Sequence, residues 1–365
     1  MNSQMSRYFI LPLLFAWSLT VSAPGALGAE RVYFIAAEEV VWDYAPSFPI
    51  NAMTGKPFRE GARSFLEKRP DRIGRKYLKA QYREYSDASF STRRKKPDHL
   101  GLLGPILRAE VGDTIIVHFF NRARFPLSVH PHGVFYDKAS EGASYADGTS
   151  GEDKTDGIVP PGASFTYRWS VPERAGPGPA DPSSIAWPYH SHVETVADTN
   201  AGLFGVIIVT ARGRAGPDAK PIDVDREFVT LFAIYDENSS LYRQVNRTRF
   251  LTTGIEPENG DFIESNLMHS INGLLWGNLK GLAMRVGERV RWHVLAMGSE
   301  VDLHTPHWHG ATLLMAGRRV DVMQLMPAAT RTLDMRPDVP GTWMYHCHVN
   351  DHIKAGMMAM FRVNR

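Results

Sequence analysis

The sequence predicts an all-β protein built from two tandem β-sandwich or barrel domains. Short β-branched and aromatic runs recur between Gly, Pro, Asp and Asn; no long stretch has helical periodicity; and the two halves share a weak internal repeat. The 31 glycines and 24 prolines supply turns in the number such a fold needs. Its 365 residues suit one large or two ordinary domains, and 43% hydrophobic with 22% charged content is ordinary for a globular chain. A net charge of +2 gives no footprint for nucleic acid.

Along the chain, Arg7, an apolar run from Tyr8 to about Val21 and small residues around Ala26–Ala29 have the three-part layout of a secretory signal, expected over residues 1–29. The run is short of the roughly 20 apolar residues of a membrane span, and no later segment reaches that length. The mature chain is therefore expected to be secreted, periplasmic or extracellular, with no span. "RVYFIAAEEVVW", "DTIIVHFFN", "SFTYRWSV" and "LFGVIIVT" read as strands of a first domain, residues 30–212. Within it, the segment from Met53 to His99 is rich in Arg, Lys and Tyr without a period, and reads as a surface excursion. "ARGRAGPDAKPIDVD" reads as a connecting stretch, with the linker at 213–224. "REFVTLFAIY", "ERVRWHVLAM", "TRTLDMRP", "GTWMYHCHV" and "MMAMFRV" are strands of a second domain, residues 225–365.

The repeat places chemistry. "LRAEVGDTIIVHFFN" parallels "MRVGERVRWHVLAM"; each precedes a histidine cluster, "SVHPHG" or "HTPHWHG", and each half closes on another, "WPYHSHV" or "MYHCHV". Ten of 14 histidines lie in these clusters: His130 and His132; His190 and His192; His304, His307 and His309; His346, His348 and His352. On extended backbone, residues i and i+2 share a face, so each H-x-H pair aims two imidazoles one way. Imidazole suits Cu, Zn, Fe or Ni.

One H-x-H pair is weak evidence; four in corresponding places are not. The single cysteine, Cys347, lies between His346 and His348 and so faces the opposite side of the strand. With His304, His352 and Met357 it makes two His, one Cys and a weak axial Met, the donor set of a blue-copper centre; a zinc site is the other reading. Eight histidines remain, enough for three coppers, two imidazoles on one and three on each of a pair.

"HPHG", "YHSH", "HTPHWHG" and "HCHVNDHIKAGM" resemble the four copper motifs of multicopper oxidases, in order. "YFIAAEEVVWDYAP", "GLLGPILRAEVGDTIIVHFFN", "FIESNLMHSINGLLWGNLKGL" and "MGSEVDLHTPHWHG" look like its ceruloplasmin and hephaestin branch. The resemblance implies cupredoxin-like domains. It implies one type 1 copper on His304, Cys347, His352 and Met357, and a type 2 copper on His130 and His307. It further implies a type 3 pair on His132, His190, His192, His309, His346 and His348. Electrons would pass from Cys347 through its His346 and His348 neighbours to the cluster that reduces dioxygen to water. In the first half, Ser191, Val196 and Leu203 stand where Cys347, His352 and the methionine would, so that domain should lack type 1 copper. Two-domain relatives imply a homotrimer with each cluster between chains.

The same resemblance implies Fe2+ as electron donor, held by Glu264, His269 and Asp351, with Glu300 from a neighbouring subunit. Alternative donors are phenols, cuprous ion or manganous ion. A copper nitrite reductase fits less well, because "HCH" stands in domain 2 and eight cluster histidines are too many. A copper-free adhesion module would not keep the motifs complete. The acidic loop after "HPHG" could hold Ca2+ through Asp156, but Gly157 follows where a second acid is wanted, so a solvated loop is preferred. Asn238 and Asn246 head glycosylation sequons.

Overall fold

The computed structural model describes residues 28–251 and 260–365, so the secretory signal expected over residues 1–29 lies almost wholly outside the described residues. Apart from a two-stranded ribbon of Ile50–Asn51 and Lys56–Pro57, the strands fall into two groups of two sheets. In the first half, Lys76–Tyr85, Glu30–Asp43, Thr114–Asn121 and Ser164–Ser170 form one sheet; Ile106–Glu110, Phe204–Thr210, Ser184–His190 and His130–Pro131 form the other. The second half repeats the plan. Leu267–Ile271, Arg226–Asp236, Val290–Ala296 and Thr330–Met335 run in the same order, extended by Leu313–Met315 and Arg318–Val320. Opposite lie Ala283–Arg285, Met358–Asn364, Gly341–Cys347 and Pro306–Trp308. Each half has two parallel pairings at matching places: Glu30–Asp43 on Thr114–Asn121 and Ile106–Glu110 on Phe204–Thr210 in the first, Arg226–Asp236 on Val290–Ala296 and Ala283–Arg285 on Met358–Asn364 in the second.

"FGVIIVT" shows why the halves adhere. Every residue of Phe204–Thr210 is buried. Successive side chains point to opposite faces. Ile207 and Val209 enter the core of the first half, whereas Phe204, Val206 and Ile208 enter a core shared with Val229, Leu231 and Leu295 of the second. Burying such a side chain is worth about 1.5–3 kcal/mol. The junction between halves is thus itself a hydrophobic core.

The Met53–His99 segment is more than a surface excursion. Lys76–Tyr85 inside it pairs over its whole length with Glu30–Asp43 and is mostly buried. Its charges disguised it, because Lys79 is 0% exposed and ion-paired to Glu237 of the second half. Lys79 Nζ also donates to the Asn200 carbonyl at 2.7 Å, and Tyr44 Oη donates to Glu237 at 2.5 Å. The Tyr235 ring lies 4.6 Å from the ammonium. Residues 213–224 fold back through an Ala215–Pro221 bridge, with Asp223 meeting Arg214 and Arg289. Asn246 is 1% exposed, and its amide is pinned between the Leu78 N–H and C=O, which removes that sequon from solvent.

Candidate metal centres

Three donor groups emerge from the strand ladders. In the second half, Pro306–Trp308 pairs with Gly341–Cys347 so that His307 stands opposite His346 and Pro306 opposite Cys347. The histidines gather on one face and Cys347 points into the core on the other, where it is fully buried. There Cys347 Sγ lies 3.5 Å from His352 Nδ1 and 4.0 Å from His304 Nδ1, with the two nitrogens 3.2 Å apart. Two nitrogens bound at about 2.0 Å to one ion stand at about that separation. Met357 is fully buried in the same core, its carbonyl accepting from the Cys347 amide at 3.1 Å.

Burial pushes the Cys347 thiol up, but contacts with His304 and His352 and the Thr305 N–H at 3.4 Å overcome this and leave it at about 6. The thiolate, which is the ligand form, is thereby favoured. Sequence reading missed Asp302. This buried carboxylate meets His304 Nε2 at 3.2 Å and is itself held by the Ile234 N–H at 2.7 Å and the Ser299 N–H at 3.0 Å. It turns His304 so that Nδ1 faces the sulfur, as outer carboxylates orient ligating imidazoles. The available signal was its place two residues before His304.

The other two groups are the H-x-H clusters. His130 stands opposite His190 in the ladder, and its ring lies 5.0 Å from that of His192. His132 Nε2 and His190 Nε2 are 3.0 Å apart; His309 Nε2 and His346 Nε2 repeat that spacing at 3.0 Å. His307 completes the second group, its ring 5.6 Å from that of His348. The Nδ1 atoms of His130, His190, His307 and His346 face backbone carbonyls of Glu141, Ser191, Asp321 and Cys347. Donation there leaves each Nε2 a free acceptor. Burial, with neighbouring imidazoles, holds His132 down at about 4 and His190 at about 3, so both stay neutral. This donor chemistry fits metal: imidazole nitrogens converge pairwise at ligand spacing. The four first-half and four second-half histidines form separate groups; no ring contact or hydrogen bond joins them among the described residues.

At the first-half position matching Cys347, buried Ser191 donates to Asp198 at 2.6 Å and accepts from the Ser128 N–H at 3.1 Å. Asp198 also accepts from the N–H groups of Val193 and Glu194, both at 3.1 Å. Leu203 is buried and Val196 is 68% exposed, so neither imidazole nor sulfur is offered.

Glu264 and Asp351 line one groove of about 910 Å³ with Arg59, Phe65, Trp276 and Lys354. Asp351, 88% exposed, lies 3.6 Å from Lys354. His269 is buried, its ring 5.3 Å from that of His352 and 6.2 Å from that of Phe65. Glu300 is exposed in the turn after Val290–Ala296 and is not part of this groove. In the acidic loop, Lys138 bridges Glu141 and Asp147, and Lys154 reaches Asp147 at 3.0 Å. Buried Asp156 accepts from the Gly142 N–H at 2.6 Å. Glu141 and Asp147 are thus answered by the loop's own lysines, whereas the other oxygen of Asp156, Oδ1, is buried without a hydrogen-bond partner among the described residues.

Two family models, both described as multicopper oxidase, match residues 100–214 and 246–365, together well over half of the chain. The chain is 46% identical over 345 residues to mouse "Ferroxidase HEPHL1", 42% over 364 residues to human hephaestin and 41% over 343 residues to sheep ceruloplasmin. These alignments cover 93%, 98% and 92% of the chain but only 30%, 31% and 32% of those proteins, so the chain spans under a third of their length. Among solved structures, a crystal structure of a multicopper oxidase superposes with a TM-score of 0.58 at 19% identity, covering 92% of this chain and 89% of that one. A blue copper oxidase from Nitrosomonas europaea gives 0.57 at 17%, covering 92% and 86%. At such identities the likeness shows the fold, and it confirms the all-β cupredoxin-like expectation.

Proposed function

Because this chain belongs to the multicopper oxidase family, we propose that it couples one-electron oxidation of ferrous iron to four-electron reduction of dioxygen to water. The observation that carries the reading is the strand His346–Cys347–His348, which sets a thiolate donor group on one face and imidazole donors on the other. When bound, copper would supply a one-electron acceptor at Cys347, His304, His352 and Met357 and, with the three ions the eight remaining histidines would hold, the four electrons that dioxygen needs. The chain's own part is positional. Peptide bonds join Cys347 to both flanking histidines, so the two ligand sets lie a few covalent bonds apart. Asp302 and the backbone carbonyls fix imidazole orientation before any metal arrives. Glu264 and Asp351 present carboxylates to Fe2+ at the groove mouth, and His269 sits between that groove and His352. Carboxylates favour ferric over ferrous ion and so ease its oxidation.

The dioxygen site is completed by another chain in this reading. His309 and His348 are exposed, which a water-excluding cluster does not tolerate. Exposed apolar side chains flank both half-sites: Leu303, Val322 and Met326 in the second half, Tyr145 and Val196 in the first. A heterologous ring contact, a homotrimer in the simplest case, would bring one chain's first half onto the next chain's second half. A solvated loop is preferred to a Ca2+ site there, because Lys138 and Lys154 already engage Glu141 and Asp147. Among the described residues no helix is long and apolar enough to cross a membrane; together with the N-terminal signal pattern, this supports export.

A second donor class is favoured by one observation. The groove is far larger than an iron ion needs and is walled by Phe65 and Trp276, so it can admit a phenol. Oxygen uptake by copper-loaded protein separates the two. With Glu264→Ala, iron-driven uptake should fall about tenfold or more, the scale of losing a supporting group at a metal site, while phenol-driven uptake is spared. Equal loss with both donors, or no loss, contradicts the iron site.

A further inference from the structure

The basic run Arg93–Lys96, which the oxidase reading leaves unused, walls a cavity of about 260 Å³ in the first half. Tyr82–Glu84, Ile106, Arg108 and Lys220 are among its other walls. Four of its cations have acidic partners: Arg93 meets Glu38, Arg94 meets Glu84 at 3.2 Å, Arg108 meets Glu227 at 2.7 Å and Lys220 meets Asp218 at 3.5 Å. Three have none. Arg83 is half-buried and makes no hydrogen bond or ion pair among the described residues; Glu38, already paired with Arg93, attracts it only through space. Lys95 stands at the exposed rim. Lys96 donates to the carbonyls of Gly101 at 2.6 Å and Leu103 at 2.8 Å, which leaves one of its three N–H donors over. Burial, with Arg83 beside it, holds that ammonium down at about 7.

Partly buried cations without counter-charge are costly, and charge-assisted hydrogen bonds to an anion offset that cost. We propose that this cavity binds a small multivalent oxyanion, of the class of pyrophosphate or a tricarboxylate, its charge answering Arg83, Lys95 and Lys96. The recessed positions of Arg83 and Lys96 select a compact anion over a polyanionic chain lying across the surface. The site shares no residue with the three metal-ligand groups.

Calorimetric titration of the copper-loaded full chain tests this with pyrophosphate, citrate and a heparin-derived oligosaccharide. Pyrophosphate, citrate or both should bind at one site per chain, and whichever binds names the phosphoryl or carboxylate source. Arg83→Gln should weaken that binding about tenfold or more, as expected for a charged donor in a charge-assisted contact, with oxygen uptake unchanged as the check on folding. Exposed Lys95→Gln, which carries no folding risk, should weaken it several-fold. Absence of binding by both small anions, binding of the oligosaccharide alone, or an affinity unmoved by Arg83→Gln and Lys95→Gln would overturn the proposal.

Discussion

Cys347→Ser abolishes the blue colour of the copper-loaded protein and lowers oxygen uptake with any donor on the order of a thousandfold or more, the scale seen when one member of a group acting as a unit is removed. The substitution is nearly isosteric in a fully buried site, so the fold is kept. What is lost is chemical. The thiol is held at about 6 by its two imidazole neighbours and is a soft anionic donor. A serine hydroxyl is neither soft nor ionised there. Ser191 makes the same point naturally, since in the matching pocket its hydroxyl is spent on Asp198. Visible absorption and an oxygen electrode check the prediction. Retained colour with retained turnover would mean that the sulfur is not a ligand.

Lys79→Met destabilises the folded chain by about 3–5 kcal/mol, the usual result of stripping one partner from a buried ion pair. Lys79 is 0% exposed and its partner Glu237 is equally inaccessible, so the single variant strands a carboxylate between the two halves. Burial pulls the lysine down and pushes the glutamate up, and their mutual contact opposes both shifts. The double variant Lys79→Met with Glu237→Leu should therefore recover most of the loss, because no charge is left unanswered. Urea unfolding of the wild type, both single variants and the double variant measures the coupling. Strict additivity would show that the pair is not the tie between halves that its position suggests.

The histidine clusters were legible because alternation is a strong physical code. His346, Cys347 and His348 had to face opposite ways on any extended backbone, and the ladder from His307 to His346 repeats that from His130 to His190. The all-β plan and the internal repeat were legible from strand runs and turns, and the structure shows the same sheet order twice. The strand Lys76–Tyr85 was not legible. Its Lys, Arg and Glu residues read as surface, and only the remote Glu237 makes a buried Lys79 tenable. Asp302 was passed over because an acid beside a histidine carries no meaning until both are seen buried. The burial of Asn246 likewise depends on Leu78, far away in sequence. Glu300 was placed by resemblance alone, as the contribution of a neighbouring chain.

Complementation tests most directly whether the oxidase is assembled between chains. His132→Ala disables the first-half cluster and His309→Ala the second, and each variant alone should be inactive. Co-refolded at equal amounts, they should regain about a quarter of wild-type oxygen uptake, because in a heterologous ring that fraction of contacts joins two intact halves. A mixture as inactive as its components, in protein that is otherwise folded and blue, would place the whole cluster within a single chain and contradict the account.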